Sequence, residues 1–209
     1  DRLRSRGLGD VYKRQVYTEA LGLWQDTSLT RREAYERFCE AMDMDGFIDW
    51  VLLEGYCANV DIKSNLRYFR TGDEPWQIAF YDLDWAFQTR SNCFFNLIGS
   101  EQNAQIAPTI RWLFGIDDFK ERLLTRYAEL TETTLSDEHV TEKIDEFRAL
   151  LAPEIARERA HWGGSEEGWN EQVDALRANI ADDYAAHTVR NLCSILGMGE
   201  EERMEYFGF

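Results

Sequence analysis

Asn59-Val60-Asp61-Ile62-Lys63-Ser64-Asn65 and Tyr81-Asp82-Leu83-Asp84-Trp85 are the two stretches whose reading decides the fold. Between them, Leu66-Arg67-Tyr68-Phe69-Arg70 suits a short strand, and Thr71-Gly72-Asp73-Glu74-Pro75 carries turn residues. Trp76-Gln77-Ile78-Ala79-Phe80-Tyr81 then reads as the returning strand of a β-hairpin. Asp61 falls in a short polar turn between a helix and the first strand. Asp82 and Asp84 close the second strand, where alternation predicts both side chains on one face. Two carboxylates so placed repel each other unless a cation lies between them, and hard divalent ions choose oxygen ligands.

The surroundings of the hairpin read as helical. Thr30-Arg31-Arg32-Glu33 is a capping box that opens a helix to about Met42. After Asp43 and Asp45, the apolar residues Phe47, Ile48, Val51, Leu52 and Tyr56 recur at helical spacing to about Cys57. Residues 88–106 are rich in Ser, Asn and Gln and read as a 19-residue loop, a length usually reserved for function. Beyond Pro108 the pattern predicts helices over 108–115, 117–133, 137–161 and 167–196, and an apolar tail that packs back on the domain. The predicted class is therefore mainly α with a small β-hairpin.

Composition supports a packed domain. Hydrophobic residues make up 44% of the 209 and there are only three prolines, so the chain can bury a core and favours helices. A net charge of −16 opposes binding to a phosphate backbone and argues against nucleic acid as a partner. No apolar run approaches the length of a membrane-spanning helix. Cys39, Cys57, Cys93 and Cys193 are too far apart in sequence for the usual zinc pattern and read as buried thiols or one or two disulfides. His139, His161 and His187 form no ligand pattern.

The two acidic stretches have the parts that phosphoryl transfer from ATP needs. One carboxylate must position and deprotonate the acceptor hydroxyl, while an amide and further carboxylates hold the metal that neutralises the phosphates. Asp61 suits the first role, with Lys63 steadying the transferring group. Asn65, Asp82 and Asp84 suit the second, around Mg2+ or Mn2+. The readings without chemistry are Asx turns at Asp61 and Asn65 and a turn or cap at Asp82 and Asp84. Trp76 and Trp85 read as core anchors flanking the hairpin rather than as an adenine platform. Arg67 and Arg70 read as surface residues alternating with Leu66 and Tyr68.

Gly46-Phe47-Ile48-Asp49-Trp50, Asn59-Val60-Asp61 through Asn65, and Trp76 followed by Tyr81-Asp82-Leu83-Asp84-Trp85-Ala86-Phe87 together resemble the core of the CotH (spore coat protein H) kinases. Phe119-Lys120-Glu121-Arg122, Arg126-Tyr127 and the helices after them share the family's cast, so the resemblance covers about 30–209. It implies the helical C-terminal lobe of an atypical protein-kinase-like fold, which moves phosphate from ATP to Ser or Thr of a protein substrate with a divalent metal. It assigns Asp61 as the catalytic aspartate, Asp82 as the metal-binding aspartate and Asp84 as its assistant. A lysine two residues after the catalytic aspartate is shared with eukaryotic protein kinases, whose asparagine comes five residues on where Asn65 comes four. Many family members also carry two successive asparagines where this chain has Asn65-Leu66. An exported or spore-associated setting is implied only weakly.

Residues 5–15 resemble a translated sequencing adaptor, and residues 1–15 are read as foreign to the natural protein. They carry a net +3 on an otherwise acidic chain, leaving −19 for residues 16–209, the domain proper. No glycine-rich nucleotide loop and no strand-borne phosphate-binding lysine is found. Those elements are expected upstream, in a truncated N-terminal lobe, so this fragment alone is expected to be inactive. Two other readings stay open: a kinase fold retained as a non-catalytic binding or surface module, and a kinase of small-molecule hydroxyls.

Overall fold

The computed structural model describes residues 14–88, 90, 93–99 and 105–209, with the side chains of Ser64 and Cys93 excepted. Of the segment read as foreign, only Arg14 and Gln15 are described, both exposed; the remainder lies outside the described residues. The chain divides into two compact units, Asp1–Leu124 and Thr125–Phe209. It is mainly α with one two-stranded hairpin, as the pattern predicts.

In the first unit, a π-helical turn over Tyr17–Leu21 and a 3-10 turn over Leu23–Gln25 lead into α1 (Arg31–Ala41). The Thr30 hydroxyl accepts from the Glu33 N–H while the Glu33 carboxylate accepts from the Thr30 N–H, so the capping box forms with both bonds. Asp43 caps α2 (Met44–Tyr56) by accepting from the Gly46 N–H at 3.3 Å. The spacing of Phe47, Ile48, Val51 and Leu52 puts all four in the core, where Phe47 meets Phe38 edge to face at 5.6 Å between ring centres. A single helical turn, α3 (Ile62–Asn65), precedes the hairpin of β1 (Tyr68–Phe69) and β2 (Gln77–Ile78). The strands pair antiparallel, Tyr68 with Ile78 and Phe69 with Gln77.

The hairpin is tied to the helices through buried Trp76. Its N–H donates to the Ala41 carbonyl and its carbonyl accepts from the Asp43 N–H, each at 2.8 Å. Its indole N–H donates to Glu19, which also pairs with Arg70 at 2.6 Å. Arg70 is thus half-buried and committed, not a free surface cation.

Residues 88–106 are not simply a loop. α4 (Cys93–Gly99) forms within them, with Phe94 and Leu97 fully buried one turn apart. A Cβ on Gly55 would fall within the Phe94 ring, so a glycine in the last turn of α2 is what lets α4 approach. α5 (Ala107–Leu113) and α6 (Asp117–Glu132) follow at the predicted positions.

In the second unit, α7 (Asp137–Trp162) and α8 (Glu166–Ala181) pair through Arg148–Asp174 and Arg177–Asp145. The single helix expected over 167–196 is broken at Asp182 and Asp183. Asp183 adopts the left-handed conformation (φ 55°), which a short polar side chain tolerates, and α9 (Tyr184–Leu196) starts afresh. Asp137 caps the new start, its carboxylate accepting from the Tyr184 and Ala185 N–H groups at 3.1 and 2.8 Å. The tail forms α10 (Glu200–Phe207), and Phe207 packs edge to face on Tyr127. Cys39, Cys57 and Cys193 are free thiols, and no helix among the described residues is long and apolar enough to cross a membrane.

α2 ends in a Schellman motif. The Ala58 N–H donates to Gly55 and the Asn59 N–H to Glu54, each at 3.3 Å, which forces Ala58 to a left-handed φ of 52°. An alanine there carries a Cβ penalty that glycine escapes. Ala58→Gly should therefore stabilise the protein by about 1 kcal/mol. A urea unfolding midpoint that fails to rise would show that the motif is not strained.

Candidate functional site

The first acidic stretch is built outward from the end of α2. Asn59, fully buried, accepts the Asp61 N–H on Oδ1 at 3.1 Å and donates through Nδ2 to Glu54 Oε2 at 2.8 Å. The Asx turn therefore belongs to Asn59, not to Asp61. Asp61 occupies the N-cap position of α3 without making a side-chain cap, so its carboxylate is not consumed by the helix. From the far end of that turn, Asn65 Nδ2 donates to the Asp61 carbonyl at 3.0 Å and reaches Asp61 Oδ2 at 3.4 Å. Asp61 is thus held at its N–H, its carbonyl and one carboxylate oxygen. Lys63 lies exposed on the same turn and pairs with no described residue.

The second stretch arrives differently from its sequence expectation. β2 ends at Ile78, and residues 79–83 are irregular, so strand alternation is not what aligns Asp82 with Asp84. Asp82 instead adopts the left-handed conformation (φ 59°), and Asp84 opens a turn closed by the Ala86 N–H on the Leu83 carbonyl. The two carboxyl groups still lie within charge range of one another. The segment is anchored where the Phe87 N–H donates to the Cys57 carbonyl at 2.6 Å and the Phe87 ring meets Tyr56 edge to face. Cys57 lies two residues before Asn59, so this bond fixes the second stretch to the root of the first.

The electrostatics report the proximity. Asp82 is held above the ordinary carboxylate range, first by loss of hydration, next by the charge of Asp84 and the hydrogen bond with it, and then by the charge of Asp61. Arg67 opposes the shift. Its guanidinium lies 4.5 Å over the Tyr81 ring and donates to the Leu66 carbonyl at 3.0 Å. Arg67 is exposed, as the alternation pattern expects, and its charge acts on Asp82. Trp76 is a core anchor as expected, at 2% exposure, but Trp85 is 54% exposed beside the acidic turn and anchors nothing.

The structure thus brings Asp61, Asn65, Asp82 and Asp84 into one neighbourhood. Among the described residues, however, no three His, Cys, Asp or Glu side chains gather tightly enough to hold a metal ion. An adjacent pair of carboxyl groups, with excess negative charge and hard oxygen donors, has the chemistry a divalent cation selects. What sequence reasoning passed over is the support beneath the site: buried Glu54, with Asn59 as its bridge. A glutamate at 54 among the apolar residues of α2 was the available signal.

The model of the CotH kinase protein family matches residues 11–185. No curated protein and no solved structure matches the chain at a significant level.

Burial pushes the Glu54 carboxyl up to about 7 from its ordinary 4.5, against hydrogen bonds from Asn59 and Trp50 that pull it down. Between those values the folded chain keeps a proton that the unfolded chain has released. This contribution to stability is fully present below the unfolded value and is lost as pH rises through the folded one, a swing of about 3 kcal/mol. Glu54→Gln, which cannot ionise, should gain on the native protein by that order between about pH 4.5 and about pH 8 in paired urea titrations. A difference that stays constant with pH would mean that Glu54 is ionised throughout.

Proposed function

Because this chain belongs to the CotH kinase protein family, we propose that it moves the γ-phosphate of ATP to Ser or Thr hydroxyls of a protein substrate. The observation that carries the reading is the three-point anchoring of Asp61 within charge range of the Asp82–Asp84 pair. A carboxylate that is fixed yet not spent on a helix cap suits a group that must orient an acceptor hydroxyl and take its proton. The hydroxyl oxygen forms the new bond to the γ-phosphorus, the bond from that phosphorus to its bridging oxygen breaks, and ADP leaves.

Asp82 and Asp84, with the Asn65 amide, are the residues that would hold Mg2+ or Mn2+. The ion, when bound, supplies positive charge that neutralises the phosphate oxygens. Lys63, exposed and unpaired with any described residue, is placed on the Asp61 turn to offset charge on the transferring group. Asp82 already resists ionisation beside its neighbours, which is the behaviour of carboxylates whose compensating cation is not part of the polypeptide.

Labelled-phosphate transfer from ATP with Mg2+ or Mn2+ tests the proposal. Asp61→Ala should lower transfer by at least about a hundredfold, the scale of losing a positioned base. Asp82→Asn should lower both transfer and Mn2+ affinity. Transfer to small-molecule hydroxyls but not to protein would replace the substrate class. A folded protein that binds neither nucleotide nor metal would reduce the chain to a binding module.

A further inference from the structure

The Schellman motif at the end of α2 normally brings two apolar side chains together, those of its third-from-last helical residue and of the second residue beyond its cap. Here those positions are Glu54 and Asn59, at 3% and 0% exposure, joined by the hydrogen bond from Asn59 Nδ2 to Glu54 Oε2. An acid and an amide in this place are costlier to bury than two leucines, since each polar atom must be matched. What they provide is orientation. Once Nδ2 is committed to Glu54, the Asn59 amide can present only Oδ1 on its other side, where it takes the Asp61 N–H. A leucine pair would close the helix equally well and leave that N–H without its partner.

We propose that Glu54 is a positioning residue for Asp61, acting through the Asn59 amide. That Asp61 is the catalytic aspartate rests on the kinase reading above; the chain of contacts from Glu54 to Asp61 does not. The line runs from a buried acid in the last turn of α2 through a buried amide to the backbone of the site.

Reversing the polarity of the pair separates positioning from mere support. Asn59→Asp alone sets a second acid against Glu54. Adding Glu54→Gln restores the bond in reverse: the introduced amide donates where the native carboxylate accepted, while the introduced carboxylate still accepts the Asp61 N–H. The readout is hydrogen exchange at the Asp61 amide, measured on the chain itself and independent of turnover. Exchange should run at least about tenfold faster in Asn59→Asp than in the native chain and return towards native in the double variant.

Should Asn59→Asp not fold, Glu54→Met serves as the uncoupled variant, since it removes the buried carboxyl without adding another. Unchanged Asp61 exchange in the uncoupled variant, or a folded double variant no better protected, would overturn the proposal. In the transfer assay, kcat should fall and recover in the same order, with KM for ATP within about twofold. Protection that follows this pattern in a protein that never transfers phosphate would sink the kinase reading and leave the positioning intact.

Discussion

The hydrogen bond from the Phe87 N–H to the Cys57 carbonyl is the contact on which the site depends. Without it, the two acidic stretches are separate features some twenty residues apart in sequence, each explicable as a turn. With it, the exit from the hairpin is fastened to the last turn of α2, and the aromatic contact between Tyr56 and Phe87 keeps the junction closed. The other positions follow from that anchor. Trp76 secures the hairpin's near side to the α1–α2 junction, and buried Phe94, admitted by Gly55, braces α2 from another side. α2 is the fixed body, and the acidic groups are hung from its C-terminal end.

Charge is the force that this arrangement must oppose. Asp82 is raised by loss of hydration and then by the charges of Asp84 and Asp61, and Arg67 opposes the shift. Backbone constraint supplies what electrostatics would not: the left-handed Asp82 and the turn after Leu83 hold the pair together against its repulsion. Surface carboxylates free to move would separate instead, since exposed like charges lower their energy by drifting apart through high-dielectric solvent. The protein has thus kept a repulsive cluster compact by covalent and hydrogen-bonded means, and a divalent cation is the partner that would turn that repulsion into attraction.

Most of the fold was legible because its signals are local. The Thr30–Glu33 capping box, the heptad-like recurrence of Phe47, Ile48, Val51 and Leu52, and the turn residues after Arg70 each act within a few neighbours. The misreadings have physical causes. α4 hid behind polar flanks because only Phe94 and Leu97 mark its buried face. The break at Asp183 carries no glycine or proline; it depends on a capping acid, Asp137, far away in sequence. For the site, residue types and spacing pointed to Asp61, Asn65, Asp82 and Asp84, but strand alternation is not what aligns the last pair, since no strand reaches them. Trp85 was misassigned because hydrophobicity does not reveal which side of a turn a residue occupies.

Strain is distributed unevenly, and its placement says where the fold is constrained by something other than stability. Four non-glycine residues among those described have positive φ: Ala58, Asp82, Phe87 and Asp183. Three of them surround the acidic cluster. Ala58 turns the chain towards Asn59, Asp82 turns its carboxyl towards Asp84, and Phe87 makes the bond back to Cys57. A stability optimum would place glycine at such positions, and an apolar pair in place of Glu54 and Asn59. Left-handed conformations at non-glycine residues cost of order 1 kcal/mol each and persist only where the surroundings over-determine them. Their concentration within one short arc of the chain, together with a buried acid kept in reserve beneath it, is the pattern of a fold that gives up stability locally to hold a particular geometry. The remaining left-handed residue, Asp183, performs the ordinary task of ending one helix and starting the next, and has no such cluster around it.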